Sequence, residues 1–428
     1  MDESLRKRLQ QLGVVKGARH LSPPAPRPPA SALPPASPPG SLSTLVPHGR
    51  VVETEAGGYF LVERAYPLAQ HHGNTVLGEL SAWPPTGMEA YVGPRLAALT
   101  AADLIFLDTE TTGLAGANTL AFMVGVAFFD GPALVTRQYF LREPGDEPAM
   151  LDALSALLAE RGGLVTFNGA TFDVPLLQGR YVMNRLLESW SDRPHLDLLL
   201  LARRLWRRRL GSVALGALEE ALLGVARTQA DVPGWLIPAL YHDYLRTGDA
   251  TELVRVFYHN EMDVLSMVTL MTQVMRLVSQ PPAWPHGEDV CSLGGWQWRM
   301  GQMDSAESTL RLAAACDHDT LENWHASLLQ LALLLKQQGR RAEAVLLWQQ
   351  VAATSLQEVT AHIELAKYYE WQAGDLAAAR AWTQAALRLT AQSPHAAALR
   401  QELTHRLLRL ERKAASPATD AADAWETS

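Results

Sequence analysis

Cysteine is scarce in this sequence, and the scarcity limits the kind of fold it forms. Cys291 and Cys316 are the only two cysteines among 428 residues. They are too few for a disulfide framework and do not have the spacing of metal-binding cysteine pairs. A fold held together by disulfides is therefore excluded, and the reducing cytoplasm is the expected compartment.

Long apolar runs and an excess of positive charge are also missing. No run of about 18 apolar residues is free of charged residues and proline, so the sequence predicts no membrane contact. The first ten residues, MDESLRKRLQ, lack the apolar segment of a secretory signal. The formal net charge of -8 excludes a protein that is basic over its whole surface, so any nucleic acid must be bound by a local patch.

The amino-terminal region divides into a helix and a linker. Residues 1–20 include an amphipathic helical pattern, with Leu5, Leu9 and Leu12 at helical spacing. Nine prolines lie between Leu21 and Gly40, which predicts a disordered linker over residues 21–48. The helix is either part of a disordered tail or a tethered docking helix for a partner protein.

Strand patterns begin near residue 49. Two β-type runs on either side of Gly57 and Gly58 predict a hairpin. Three further strands are predicted from Leu104, Ala121 and Leu134, followed by a helix and a fourth strand over residues 164–167. Three strands, a helix and a strand are the order of a ribonuclease H-like mixed sheet, so an α/β domain is expected over residues 49–283.

The region of residues 288–412 has a helical pattern with internal repetition, and a disordered tail is expected over 413–428. Gly301, Gly339 and Gly374 each lie five residues before an alanine, at separations of 38 and 35 residues. This spacing resembles the tetratricopeptide repeat, in which a small residue closes the turn between two helices. An ordinary helical bundle is the alternative.

Acidic residues that could bind a cation occur at three places, and each place taken alone also has a structural explanation, which for Asp108 and Glu110 is a solvated strand end. Asp108 and Glu110 lie two residues apart at the end of an apolar strand, so both face one side of the sheet, and a bound cation would relieve their repulsion. Asp173 begins a helix in the segment NGATFDVPLL, where a helix cap is the simpler explanation. His259 and Asp263 share one face of a long helix, where a surface pair is the simpler explanation.

Together the segments LDTETTG, NGATFD and HNEMD resemble the three motifs of the DEDD exonucleases, in order and at suitable intervals. The chain further resembles the YprB-like ribonuclease H-like exonucleases, in HLDLLLLARRLWRRRLGSVALGALEEALLG and in DVPGWLIPALYHDYLRTGD. The resemblance implies a 3′-to-5′ exonuclease domain followed by tetratricopeptide-type helices, working beside a helicase in DNA repair. It also implies that Thr111 and Thr112 meet the terminal nucleotide.

Magnesium and manganese prefer hard oxygen ligands, and two such ions promote phosphodiester hydrolysis. We expect two Mg²⁺ or Mn²⁺ ions to be held by Asp108, Glu110, Asp173 and Asp263. The general base is His259 or Tyr258, four and five residues before Asp263. The i to i+4 spacing favours His259, and a loop before Asp263 would favour Tyr258.

Nucleic-acid contacts are predicted beyond the carboxylates. Asn168 lies in the turn before Asp173 and is expected to contact the nucleic acid. The basic run at 203–209 combines arginines with the indole of Trp206, which could stack on a base. The members chosen from this run are Arg203, Arg204, Trp206, Arg207 and Arg208. The alternative is a solvated helix face. His195 and Asp197 either support the metal ligands or cap the following helix.

Three functions remain open. The favoured one is a 3′-to-5′ DNA exonuclease whose repeats or amino-terminal helix bind a helicase, or whose repeats clamp the substrate. The same chemistry also trims RNA, since no residue is seen that reads the 2′-hydroxyl. The third is an inactive scaffold that retains the nuclease fold.

Overall fold

The computed structural model of the chain describes residues 40–82, 88–113, 119–186, 188, 190, 192–228, 230–355, 357–391 and 396–415. The predicted amino-terminal helix, most of the proline-rich linker and the end of the predicted tail lie outside these residues. The linker was expected to reach residue 48, but its described part contains the short helix α1, Leu42–Leu45. Leu42 and Val46 are buried, so this part of the linker belongs to the folded domain, and the expected boundary is corrected.

A seven-stranded sheet forms the centre of the first region. Its strands are β1 Gly49–Thr54, β2 Gly57–Pro67, β5 Leu104–Thr111, β6 Ala121–Asp130, β7 Ala133–Phe140, β8 Gly163–Thr166 and β9 His195–Asp197. The order across the sheet is β1-β2-β7-β6-β5-β8-β9. In this order, neighbouring strands from β1 to β5 pair antiparallel. The pairs β5–β8 and β8–β9 are parallel. The predicted hairpin, meander and ribonuclease H-like mixed sheet are confirmed. A separate two-stranded ribbon contains β3 His71–His72 and β4 Thr75–Val76.

Helices flank the sheet on both faces, because the central strands are apolar on both sides. In chain order they are α2 Glu89–Val92, α3 Pro94–Ala97, α4 Glu147–Ala159, α5 Asp173–Met183, α6 Leu198–Leu205, α7 Arg207–Leu210, α8 Leu215–Leu218, α9 Ile237–Thr247 and α10 Leu253–Ser279. Short 3₁₀ turns cover Leu77–Ala82, Ala101–Asp103, Pro144–Asp146, Gly234–Leu236 and Pro281–Ala283, and one π-helical turn covers Glu219–Leu223. The long helix α10 packs across β5, β6 and β7.

The carboxyl-terminal region is helical throughout its described part. Its helices are α11 Gly287–Arg299, α12 Met303–Ala315, α13 Leu321–Gln337, α14 Arg341–Thr354, α15 Thr360–Trp371, α16 Leu376–Thr390 and α17 Ala397–Ala415. Gly301, Gly339 and Gly374 close the turns of three successive helix pairs with φ of 79°, 82° and 69°, a conformation that favours glycine. The three alanines five residues later, Ala306, Ala344 and Ala379, are completely buried. The glycine and alanine pattern therefore marks real helix pairs.

The two regions share one hydrophobic core. The buried cluster that contains Phe106 of the sheet continues through α10 into α11, α12, α13 and α14. At the junction, Arg209 donates hydrogen bonds from Nε and Nη2 to Asp289, which has no exposed surface. Arg204 lies over the ring of Trp296, 5.1 Å from its centroid. The helical region is thus packed directly against the nuclease-like region. No helix in the described ranges is long and apolar enough to cross a membrane.

Candidate active site

Strand β5 carries the first two acidic residues to the edge of the core. Leu104 and Phe106 are buried on the face that meets α10, and the period of two places Asp108 and Glu110 on that same face. A register shift follows Glu110, where β5 stops pairing regularly with β6. The strand therefore presents two carboxylates at the point where its regular pairing ends.

Helix α10 supplies Asp263 and a partner for Asp108. Asn260, one turn before Asp263, has no exposed surface, and its Nδ2 donates to Asp108 Oδ2 over 3.0 Å. Gln138 Nε2 donates to Asn260 Oδ1 over 3.0 Å, which fixes the orientation of the Asn260 amide. Asp108 is thus tied to α10 through a buried amide.

Asp173 reaches the same place from the start of α5. Its carboxylate accepts a hydrogen bond from Thr109 Oγ1, so α5 is joined to the strand between the two β5 carboxylates. Asp173 is almost completely buried, and burial raises its pKa to about 6. The acidic residues of three distant segments therefore lie close together.

The electrostatics of the cluster are those of crowded, buried anions. Burial raises the pKa of Asp108 well above its usual range, and the neighbouring Asp263, Glu110 and Asp173 carboxylates raise it further. Burial also raises the pKa of Glu110, with added repulsion from Asp263 and Asp173. Burial raises the pKa of Asp263, and the Arg227 guanidinium makes this rise smaller. Such a cluster gains stability from a bound cation.

The turn before α5 is held by Asp197 of β9. Asp197 Oδ1 accepts from the backbone nitrogens of Asn168 and Leu199, and Oδ2 accepts from that of Ala170. Asn168 adopts φ of 68°, a left-handed conformation that asparagine tolerates. Asp197 therefore caps α6 and also fixes the turn that leads to Asp173. His195 instead lies within hydrogen-bonding distance of Thr166, at 2.8 Å.

His259 is oriented by Asp231. His259 Nδ1 lies 2.7 Å from Asp231 Oδ1 and 3.0 Å from Arg227 Nη1. One ring nitrogen cannot donate to the carboxylate and accept from the guanidinium at once, and the shorter contact assigns the Nδ1 proton to Asp231. Nε2 lies 3.7 Å from Asp263 Oδ2, and in the neutral ring with this tautomer it is the nitrogen that carries the lone pair. The Tyr258 hydroxyl instead accepts from the Thr228 backbone nitrogen.

Comparison with known proteins identifies the family of the chain. Residues 105–275 match the family model of the RNase H superfamily. The uncharacterized protein YprB of Bacillus subtilis (strain 168) is 32% identical over 317 residues, which cover 72% of this chain and 75% of that protein. The chain belongs to the YprB-like ribonuclease H superfamily. The predicted resemblance to YprB-like, ribonuclease H-like proteins is confirmed.

Among solved structures, the Yersinia enterocolitica type III secretion translocator chaperone SycD is 21% identical over 30% of this YprB-like chain and 84% of SycD, with a TM-score of 0.27. PcrH from Pseudomonas aeruginosa is 22% identical over 29% of this chain and 91% of PcrH, with a TM-score of 0.26. Likenesses this low carry no argument about the function of the chain.

Two depressions meet at the carboxylates of this YprB-like protein. One, of about 520 Å³, is lined by Thr111, Asn168 and Phe172 together with Asp108 and Asp173. The other, of about 630 Å³, joins Asp108 and Asp263 to further residues that include Asn168, Arg203 and Arg207. Thr112 is placed differently, since its hydroxyl accepts a hydrogen bond from the Leu120 backbone nitrogen.

The structure separates the members of the predicted basic run. Arg203 and Arg207 face the site, as described above. Trp206 has no exposed surface and packs in the core beside Trp284, so it has no face on which a base could stack. Arg204 stacks on Trp296, and Arg208 contacts the Cys291 sulfur at 3.7 Å. The predicted nucleic-acid role is therefore corrected for Trp206. Arg204 and Arg208 are exposed at the junction with the helical region, and their nucleic-acid role stays a prediction.

Arg227 was not predicted from the sequence, because nothing in its neighbourhood marks a loop arginine as part of the site. Its Nη2 contacts Asp263 Oδ1, and its Nε and Nη2 donate to Glu219 over 2.6 and 2.8 Å. Within the described residues, no group of three or more histidine, cysteine, aspartate or glutamate side chains is arranged as a ready metal site. The donor chemistry of the four carboxylates nevertheless fits hard divalent cations, and Asp263 is engaged by a guanidinium instead.

Proposed function

We propose that this protein is a metal-dependent 3′-to-5′ exonuclease that acts on DNA in the cytoplasm, in repair beside a helicase. One observation carries the proposal: four carboxylates from β5, α5 and α10 converge under burial, and burial and mutual repulsion raise the pKa values of Asp108 and Glu110. Membership of the RNase H superfamily supports nuclease chemistry. The polarity, the DNA substrate and the helicase partner rest on the resemblance of the motifs.

Asp108, Glu110, Asp173 and Asp263 would hold Mg²⁺ or Mn²⁺. When bound, two such ions act as Lewis acids toward a phosphodiester and lower the pKa of water. The residues of the chain perform the remaining tasks. His259, with its Nδ1 proton donated to Asp231, accepts a proton at Nε2 from the attacking water.

Arg203 and Arg207 are proposed to bind the phosphates that flank the cleaved bond. They lie four residues apart and line one groove with Asp108 and Asp263. Both are exposed, so their guanidinium groups reach a strand in this groove without unpacking the core. A local pair of cations also accommodates the net charge of -8, because nucleic acid needs a positive surface only where it binds.

The depression of about 520 Å³ is proposed to receive the terminal nucleotide. Thr111 and Asn168 offer polar groups, and Phe172, half exposed, offers a ring face for stacking. The helical region is proposed to bind the partner protein, because paired helices form extended binding surfaces.

The proposal is tested by digestion of end-labelled single-stranded and duplex DNA and RNA, with Mg²⁺ or Mn²⁺. Wild type is compared with Asp108→Ala and with the matched surface variant Asp243→Ala, in which an exposed aspartate of α9 is removed. We expect release of nucleotides from the 3′ end of DNA, loss of this activity in Asp108→Ala, and normal activity in Asp243→Ala.

Preferential digestion of RNA would move the assignment to an RNA-trimming enzyme. Absence of hydrolysis with every polymer, together with tight binding of a protein partner, would indicate a scaffold instead.

A further inference from the structure

Arg227 lies in the loop after the π-helical turn Glu219–Leu223 and directs its guanidinium into the carboxylate cluster. Its side chain is 16% exposed. Nη2 contacts Asp263, and Nη1 faces His259 and lies 3.6 Å from Asp231 Oδ2. Within the described part of the chain, Asp263 is the one member of the four carboxylates that has an arginine partner. The Arg227 guanidinium therefore supplies positive charge at the Asp263 side of the cluster.

The other edge of Arg227 is anchored independently of the cluster. Glu219 is 1% exposed and receives both Nε and Nη2 in a bidentate pair. Glu219 Oε1 also accepts from Ser266 Oγ over 2.6 Å, and Ser266 lies 2.8 Å from His72 Nε2. Ser266 is on α10, so the same helix carries both Asp263 and the support for Glu219. Arg227 thus keeps a carboxylate partner when its contact with Asp263 is lost.

In this arrangement the positive charge beside Asp263 can change from the Arg227 guanidinium to a divalent cation. A divalent cation and a guanidinium on the same carboxylate repel each other strongly in a buried site. The stronger ligand preference of a carboxylate cluster for Mg²⁺ or Mn²⁺ would displace the guanidinium, whose pair with Glu219 remains. The displaced N–H groups would still point into the site, where the next anion to arrive is the phosphate of the nucleic acid.

We propose that Arg227 is an exchangeable counter-cation: it neutralises Asp263 in the metal-free protein, releases it when a divalent cation binds, and then binds the phosphate of the substrate. Glu219 holds the guanidinium by hydrogen bonds both before and after its release from Asp263. This inference rests on the proposed function, because it concerns the same metal and phosphate site.

The test measures Mn²⁺ affinity by the electron paramagnetic resonance signal of free Mn²⁺. Arg227→Gln alone would leave Glu219 buried without a cationic partner, so the main variant is the double substitution Glu219→Gln/Arg227→Gln, which removes both charges. We expect it to bind Mn²⁺ on the order of tenfold more tightly than wild type, because no charge-assisted hydrogen bond has to be broken. Glu219→Gln alone should bind Mn²⁺ more weakly, because Arg227 then loses the carboxylate that holds it when it leaves Asp263.

The second readout is cleavage of single-stranded DNA at saturating Mn²⁺. The double variant should cleave at least tenfold more slowly than wild type, because the phosphate loses a charge-assisted partner. Arg246→Gln, which removes an exposed arginine paired with Asp243, serves as the matched control and should change neither readout.

Equal Mn²⁺ affinity in wild type and both charge variants, with DNA cleavage intact in wild type, would overturn the exchange and leave the proposed function standing. Unchanged cleavage by the double variant would overturn the phosphate contact. Mn²⁺ binding by the double variant but not by wild type would show a permanent plug and contradict the exchange. Failure of wild type and all variants to bind Mn²⁺ would overturn both proposals.

Discussion

Asn260 donates a hydrogen bond from Nδ2 to Asp108 Oδ2 over 3.0 Å, and this contact joins the long helix α10 to the strand that carries two of the four carboxylates. Space for the amide is provided by Gly125, which faces Asp108 across the β5–β6 pair. A Cβ at Gly125 would lie 1.9 Å from Asn260 Oδ1. The position of Asp108 therefore depends on a missing side chain on the neighbouring strand.

Gly125→Ala is expected to displace Asn260 and weaken its bonds to Asp108 and Gln138. Overpacking of this kind costs about 1–3 kcal/mol of the free energy of unfolding, and we expect at least a tenfold loss of nuclease activity. Urea denaturation and the DNA digestion assay measure the two effects. Gly234→Ala is the matched control, since nothing lies within 4 Å of a Cβ built there. Full activity in Gly125→Ala would show that Asn260 does not position Asp108.

Asp197→Ala is expected to loosen the turn before Asp173. The variant loses the cap of α6 and the acceptor for the Asn168 and Ala170 backbone nitrogens, a cost of about 1–3 kcal/mol in stability. Because this turn leads to Asp173, DNA cleavage should fall as well. Asp375→Ala removes the comparable cap of α16, where Oδ1 accepts from Ala378 nitrogen. That control should lose stability and keep its specific activity, and equal activities in the two variants would argue against a positioning role for Asp197.

His259→Ala is expected to reduce turnover by about 10²–10⁴-fold over neutral pH, as for the loss of a general base. Tyr258→Phe removes only the hydroxyl that accepts from Thr228 and should change turnover by no more than a few-fold. The measurement is the pH profile of single-turnover DNA cleavage. A larger defect in Tyr258→Phe than in His259→Ala would transfer the role to Tyr258.

The metal-free protein should lose stability as the pH rises through the pKa of Asp173. Burial raises this pKa to about 6 in the fold, above the ordinary value, so the folded state binds more protons than the unfolded state between the two values. Stability is then highest below the unfolded pKa and is lost as the pH rises to about 6. Asp173→Asn should therefore stabilise the metal-free protein at pH 8 by on the order of 1–3 kcal/mol and have little effect at pH 4.

Denaturation in the presence of EDTA at both pH values measures this difference. Addition of Mn²⁺ should stabilise wild type at pH 8 more than Asp173→Asn. An Asp173→Asn variant that is destabilised equally at both pH values would contradict the electrostatic explanation.

Local periodicity explains why much of the fold was predictable. The alternation along β5 places Asp108 and Glu110 on one face, and the recurring spacing of Gly301 and Ala306 marks a helix turn. Both patterns depend only on residues that are close together in the sequence. Trp206 was assigned wrongly because a basic, aromatic helix face looks the same whether it meets solvent or another packed region. Arg227 and Asn260 were missed because their contacts depend on how distant elements pack.

The central claim is that Asp108, Glu110, Asp173 and Asp263 form a divalent-cation site. The most direct test is the anomalous difference map of a crystal grown or soaked with Mn²⁺. We predict manganese peaks within coordination distance of these four carboxylates, with the Arg227 guanidinium withdrawn from Asp263 and still paired with Glu219. A map with no manganese among these side chains, and with Arg227 still on Asp263 at saturating Mn²⁺, would contradict the account.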